Sequence, residues 1–287
     1  MNKISVVILN FNRPSYIKKD ILPNLEKISF IDEVIISHGK KDTFFQDSKF
    51  KNINVKHLEH WEKDNATYGL TLRFYSALEA KNSKIIIMDD DIIPSLEAVE
   101  FLNEKISEDS NRLYGLYGRN LDKYNNYEIT NYFGEVPIVL TRCLITTKEM
   151  CIYFMDNFRT YENKLIENSK PYWNGEDILF SLLSIKKYGK LPKVYNLKHS
   201  NRALNYLNLN DSINLGDDND HVEYRKKLTK DFIDKLGLNN KIKKETKIKT
   251  YRSQFTYFFV NSVLLFIFYL FVMFVFVFDV YYFIYRG

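Results

Sequence analysis

Three short stretches, "ISVVIL", "DEVIIS" and "KIIIM", limit what this chain can fold into more than anything else in it. Each is β-branched and almost wholly apolar, which suits a central strand covered on both faces, as in a parallel sheet. Helix-like stretches separate them. Pro14 to Lys27 opens with a proline at its first turn, and Leu70 to Lys81 carries apolar residues at helical spacing. Strand, helix, strand, then helix and strand again is an α/β doubly wound pattern. Further along, "RLYGLYGRN" and "EVPIVLTRCLIT" read as strands, candidates for antiparallel pairing. "EDILFSLLSIKKYG" reads as a helix stopped by Gly189, and "DHVEYRKKLTKDFIDKLG" as one stopped by Gly237. With 287 residues the chain can bury a full core, in one large domain or two small ones.

In open α/β sheets, ligands bind beyond the carboxyl ends of the strands. Two chemically loaded segments fall there: Asn10-Phe11-Asn12-Arg13 after the first strand, and Asp89-Asp90-Asp91 after "KIIIM". Adjacent carboxylates repel unless they are solvated or a cation sits among them. One reading is therefore a hard divalent cation, Mg²⁺ or Mn²⁺, clamped to a diphosphate whose leaving charge it screens. The other is a solvated turn that caps a helix starting near Pro94-Ser95. Arg13 and Arg73 favour the first, since either can neutralise a nucleotide phosphate or hold an aspartate in place. No G-x-G-x-x-G follows the first strand and no Walker motif occurs, so dinucleotide and P-loop readings have no fingerprint.

A second acidic site candidate is "PYWNGEDILFSLL". Acids at a helix start favour its positive end, which alone explains an isolated Glu176-Asp177. The preceding Trp173-Asn174-Gly175 turn suggests close approach to a ligand by backbone and ring. Carboxylates beside a sugar act as base, nucleophile or stabiliser of an oxocarbenium-like centre.

Taken in order, "VVILNFNR", "TLRF" with "KIIIMDDD", "YGLYGRN", "VLTRCLITTKEM", "WNGEDILFSLL" with "YGKLP", and "HVEYR" resemble the exostosin-type glycosyltransferases, family 64, which have the GT-A nucleotide-sugar fold. The resemblance covers roughly residues 3 to 236. It implies that Arg13 lies near the nucleotide and that Arg73 is the arginine preceding the acidic motif. It implies that Asp89 and Asp90 contact the uridine and sugar, and that Asp91 is the metal ligand. Asp177 resembles the aspartate at the reacting anomeric carbon, and Arg225 the late arginine that helps hold the diphosphate. Near "NATYGL" a family asparagine that contacts the donor is replaced, with Tyr68 at the equivalent spacing. His221 lies four residues before Arg225, on the same helical face, where it can approach metal or diphosphate. His199 reads as structural.

The resemblance implies a metal-dependent transferase moving an N-acetylhexosamine from a UDP-sugar to a glycan or other hydroxyl acceptor, with retention. An inverting enzyme with Asp177 as general base is the alternative in the same class. A membrane-tethered module that binds sugar nucleotides without turnover is the alternative from another class. The basic residues outside one late cluster are mixed with acids, and the formal charge is only +5, so nucleic acid is not an expected partner.

The tail differs from the rest. Residues 257 to 278 carry no charge, and a bilayer-spanning helix needs about 20 apolar residues. The lysine-rich "KIKKETKIKTYR" before it would stay on the cytoplasmic side. The expected organisation is a GT-A domain over 1–240, a basic juxtamembrane linker over 241–254 and a C-terminal transmembrane anchor over 255–287, with the domain facing the cytoplasm. The apolar run before Asn10 is too short for a signal peptide. Cys143 and Cys151 are the only cysteines and read as buried free thiols in a reducing compartment.

Overall fold

Every residue of Ile4–Asn10 (β1) is buried, as befits an apolar strand with a parallel neighbour on each side. This computed structural model describes residues 3–46, 50–61, 68–166, 174–200 and 219–242. Ile31–His38 (β2) pairs with β1 in parallel, and Asn54–Glu59 (β3) pairs with β2 in the same sense. On the other side of β1 runs Lys84–Asp89 (β4), also parallel. Register brings the strand ends together: Leu9 lies opposite Asp89, and Asn10 opposite His38.

The later strands are short. They are Ile93–Pro94 (β5), Tyr114–Gly115 (β6), Gly118–Leu121 (β7), Tyr127–Asn131 (β8), Gly134–Glu135 (β9), Ile138–Val139 (β10), Cys143–Thr147 (β11), Lys193–Val194 (β12) and His199–Ser200 (β13). An eight-stranded sheet has the order β3-β2-β1-β4-β11-β6-β12-β9. Its parallel run ends at β4, where β11 joins antiparallel. Among the described residues there are also a three-stranded sheet, β10-β7-β8, and the pair β13-β5. The architecture is a mixed α/β sheet.

Two expected strands are broken. "RLYGLYGRN" splits into β6 and β7, which lie in different sheets. Its glycines allow close crossing: a Cβ on Gly115 would sit 2.5 Å from Val139 Cγ2, and one on Gly118 2.8 Å from Val194 Cγ2. "EVPIVLTRCLIT" splits into β9, β10 and β11, with Pro137, which has no N–H for a ladder, between the first two.

Residues 14–25 form one helical run (α1), with a π turn at Ile17–Ile21 where the Leu22 N–H reaches back to the Ile17 carbonyl. Pro23 accounts for the widening, because its ring would collide with the Lys19 carbonyl in a regular helix. The helix expected to reach Lys81 is shorter. A 3₁₀ turn at Gly69–Thr71 leads into Leu72–Ala77 (α2), beyond which Leu78, Glu79 and Ala80 bond three residues back. Leu96–Glu108 (α3) and Lys148–Ile166 (α4) follow. Glu176–Tyr188 (α5) stops at Gly189, whose φ of 77° suits glycine and whose N–H bonds the Ile185 carbonyl. Asn219–Leu236 (α6) is followed by Gly237 at φ 67°.

Phe74 of α2, Phe154 of α4 and Phe180 of α5 pack together in the core, Phe74 stacked on Phe180 with centroids 4.2 Å apart and tilted against Phe154 at 4.5 Å. Aromatic pairs of this kind contribute about 0.5–1.5 kcal/mol beyond burial. They fix α2 against α5, which carry Arg73 and Glu176-Asp177 respectively. Cys143 and Cys151 are buried and free.

The chain divides into two units, Met1–Leu238 and Asn239–Gly287. The first holds every element above, and of the second only residues 239–242 are described. Among the described residues no helix is long and apolar enough to cross a membrane. The uncharged stretch 257–278 and the basic stretch before it lie outside the described residues.

Candidate active site

The loop after β1 places Arg13 at the start of α1, where its carbonyl accepts from the Tyr16 and Ile17 N–H groups. Its side chain turns to the acidic run instead, and Nη1 donates to Asp90 Oδ1 at 2.5 Å. The Phe11 N–H approaches the other Asp90 oxygen at 3.5 Å. Asp90 is only 4% exposed, so the run is not a solvated turn. Helix capping falls to Ser95, whose Oγ accepts from the Ala98 N–H at the start of α3.

Arg73 answers the first aspartate of the run. Its Nη1 donates to Asp89 Oδ1 at 2.8 Å, while Nε donates to the Leu70 carbonyl. Nε also lies 3.7 Å from Glu176 Oε1. The third aspartate, Asp91, faces Arg142 Nη2 at 3.7 Å, and that guanidinium rests over the Tyr117 ring. The Tyr117 hydroxyl in turn bonds His199 Nε2. The run is thus met by arginines from three separate segments.

At the start of α5, Gly175 takes a φ of 111°, a left-handed conformation that delivers two carboxylates in succession. Asp177 Oδ1 accepts from the Ile178 N–H at 2.9 Å, and Oδ2 accepts from Arg225 Nη2 at 2.7 Å. Arg225 also donates to Asn174 Oδ1 and lies over the Tyr127 ring. Asn174 Nδ2 meets His221 Nδ1. Arg225, expected near the diphosphate, is therefore paired with Asp177, and His221 with Asn174.

Burial opposes charge throughout this cluster. Asp90 is raised above the ordinary carboxylate value, burial outweighing the Arg13 contact. Asp91 is pushed up to about 6, by burial first and then by neighbouring Asp89. Glu176 rises to about 7, through burial and the charge of Asp177. Burial also works against Arg13, Arg73 and Arg225, yet the facing carboxylates hold all three above the usual guanidinium value. A concentration of shifted groups at one strand end is the usual mark of a functional site.

A divalent cation fits this donor set in one way. Asp91 offers a hard oxygen ligand whose ionised form burial and Asp89 disfavour even with Arg142 nearby, so a cation would favour it. Among the described residues no group of three or more His, Cys, Asp or Glu is placed to enclose a metal. A cation held by Asp91 would complete its shell from phosphate oxygens and water, the habit of Mg²⁺ in phosphate sites.

Several residues with no role assigned from sequence also converge here. Glu176 and Asn174 belong to the acidic pair and the turn singled out from sequence, without a role of their own, and Arg142 to a segment read only as strand. Behind β1, Asn10 Nδ2 bonds His38 Nδ1 and the Thr43 carbonyl, and His38 Nε2 meets His57 Nδ1 at 2.8 Å. Burial, then His57 and His60, lower His38 to about 4, so it stays neutral. Tyr68, read as a replacement at the donor, stacks on Tyr75. Trp173 lies outside the described residues.

Among solved structures the chain is similar to GalNAc-T7, crystallised with UDP, GalNAc and Mn²⁺, at 14% identity over 69% of this chain and 45% of that one, with a TM-score of 0.49. It is similar also to residues 1–349 of S. aureus TarS, at 16% identity over 68% of this chain and 58% of that one, with a TM-score of 0.45. The match thus spans about half the length of those chains, 45% and 58%. No curated protein matches. The family model for the glycosyl transferase family 64 domain matches residues 4–255, from the first strand to beyond the last described helix, and the chain therefore belongs to that family.

Proposed function

We propose that this glycosyltransferase is of the exostosin type, with the GT-A fold, and moves an N-acetylhexosamine from a UDP-sugar to a hydroxyl of a glycan or glycoconjugate, with retention at the anomeric carbon. The observation that carries this reading is the bridge from Asp89 through Arg73 to Glu176-Asp177, which joins the two acidic segments at one end of the sheet. The family 64 resemblance supplies the donor sugar and the stereochemistry. The uncharged stretch 257–278 and the lysines before it support a membrane anchor with the domain on the cytoplasmic side.

In this reading Asp89 and Asp90, held by Arg73 and Arg13, bind the uridine and sugar hydroxyls. A divalent cation on Asp91 would screen the negative charge of the leaving diphosphate. Asp177 stabilises positive charge at the anomeric carbon as the bond to the UDP oxygen breaks and the bond to the acceptor oxygen forms. Both Asp177 oxygens already accept from fixed donors, which favours a stabiliser over a general base. Arg225 holds that carboxylate in place through its bond to Oδ2.

The test is a hydrolysis screen of UDP-sugars with Mn²⁺. Turnover of a UDP-N-acetylhexosamine, lost in excess EDTA and largely lost in Asp91→Asn, is the expected result, because an amide is a poor ligand for a hard cation. Turnover that persists in EDTA would overturn the metal assignment, and a screen with no active UDP-sugar would overturn the donor class.

A further inference from the structure

Glu176 has no part in the chemistry above, yet it is 3% exposed and touches both halves of the site. Its Oε1 lies 3.7 Å from Arg73 Nε and accepts from Thr141 Oγ1 at 3.3 Å. Its Oε2 accepts from the Gly175 N–H at 3.2 Å. Arg73 is the residue that holds Asp89, and Gly175 is the left-handed turn that delivers Asp177.

We propose that Glu176 is a positioning residue, a brace that sets the nucleotide-side carboxylate and the sugar-side carboxylate in fixed relation, and that it does so only when ionised. This deepens the reading of Asp177 as the group beside the reacting sugar and rests on it. The surroundings favour the ionised form: the Arg73 guanidinium faces it as a cation, the Gly175 N–H can only donate, and the Thr141 hydroxyl donates here as well. A proton on Oε2 would face the Gly175 N–H and release it, and one on Oε1 would reverse the Thr141 bond and remove the charge that faces Arg73. The charged groups around it are Asp177 on its own helix, Arg73 on α2 with Asp89 of β4 behind it, and Arg225 on α6; Thr141 faces it from the segment between β10 and β11. Asp177 and burial favour protonation and the two arginines oppose it, so the balance falls near neutrality, at about 7. Activity should then rise as pH increases through that value.

The test uses the full chain in detergent, with two readouts. In the first, kcat and KM for donor hydrolysis are followed against pH. Glu176→Gln should lower kcat by about 10- to 10²-fold at pH above the limb, the cost of a misplaced reacting group, leave the donor KM unchanged and abolish the acid limb. In the second, the Arg73 Nε–H signal in arginine-labelled protein should shift with pH through about 7 in the parent and not in Glu176→Gln. Thr141→Val removes a donor to the carboxylate, so it should move both limb and signal to higher pH; it carries the test if the Gln variant fails to fold. An Arg73 signal that titrates unchanged in Glu176→Gln, or parental kcat in that variant at every pH, would overturn the brace. A parent that shows the Arg73 titration but turns over no nucleotide sugar would leave the brace standing and remove the functional reading instead.

Discussion

Asp177 and Arg73 differ in what their loss should do, because one is assigned to the sugar and the other to the nucleotide end. Removing a group that acts only in the transition state lowers kcat and leaves binding intact. Asp177→Asn should therefore bind UDP and Mn²⁺ as the parent does, yet transfer sugar about 10²–10⁴ times more slowly. Arg73→Ala should weaken UDP binding, measured by calorimetry, since Asp89 then loses its guanidinium partner. The opposite pattern, with UDP binding lost in Asp177→Asn and kept in Asp91→Asn, would exchange the two roles. His38 gives a second residue-scale outcome. It is neutral when folded, with a value near 4, against 6.5 when free. The unfolded chain thus takes up a proton first, and stability present above about 6.5 is lost as pH falls toward 4. Replacement by Gln should flatten that part of the melting-temperature profile; an unchanged profile would assign the acid sensitivity elsewhere. The acidic run was legible because its three members are consecutive. The role of Glu176 was not, since its partners Arg73 and Thr141 come from distant segments that only the fold brings together.

At the scale of elements, the start of α3 offers a clean measurement. The Ser95 hydroxyl accepts from the Ala98 N–H at 3.1 Å, and deleting an N-cap of this kind costs about 1 kcal/mol. Ser95→Ala should lower the denaturation midpoint accordingly and leave donor binding unaltered; coupled loss of binding would mean that α3 also orders the acidic run. Long apolar strands and glycine-stopped helices were readable in the sequence, because each is specified by its own residues. β1, β2, β4 and the end of α5 are of this kind. The breaks at β6/β7 and β9/β10/β11 were not, although glycines and Pro137 mark the places. At the first of these breaks, Gly115 and Gly118 leave room for Val139 and Val194, which come from other strands.

At the scale of the molecule, the family domain and the tail make separate claims on location. The full chain should sediment with carbonate-washed membranes, and a chain truncated after residue 254 should be soluble and still bind UDP. Extraction of the full chain by carbonate would rule out a spanning tail, and protection of the domain from external protease in sealed vesicles would reverse the proposed topology. The α/β class was legible because strand composition alone selects a covered parallel sheet, whereas the antiparallel half depends on pairings that composition does not encode. The order of these parts along the chain also has a consequence for synthesis. The last described strand of the main sheet, Lys193–Val194, leaves the ribosome well before Arg225 does. At about 5–20 residues per second the interval lasts a few seconds. Throughout it, the Asp177 carboxylate lacks the Arg225 bond that fixes it in the folded chain. A nascent chain can thus pair the described strands of that sheet before the candidate site around Asp177 is held by its late arginine.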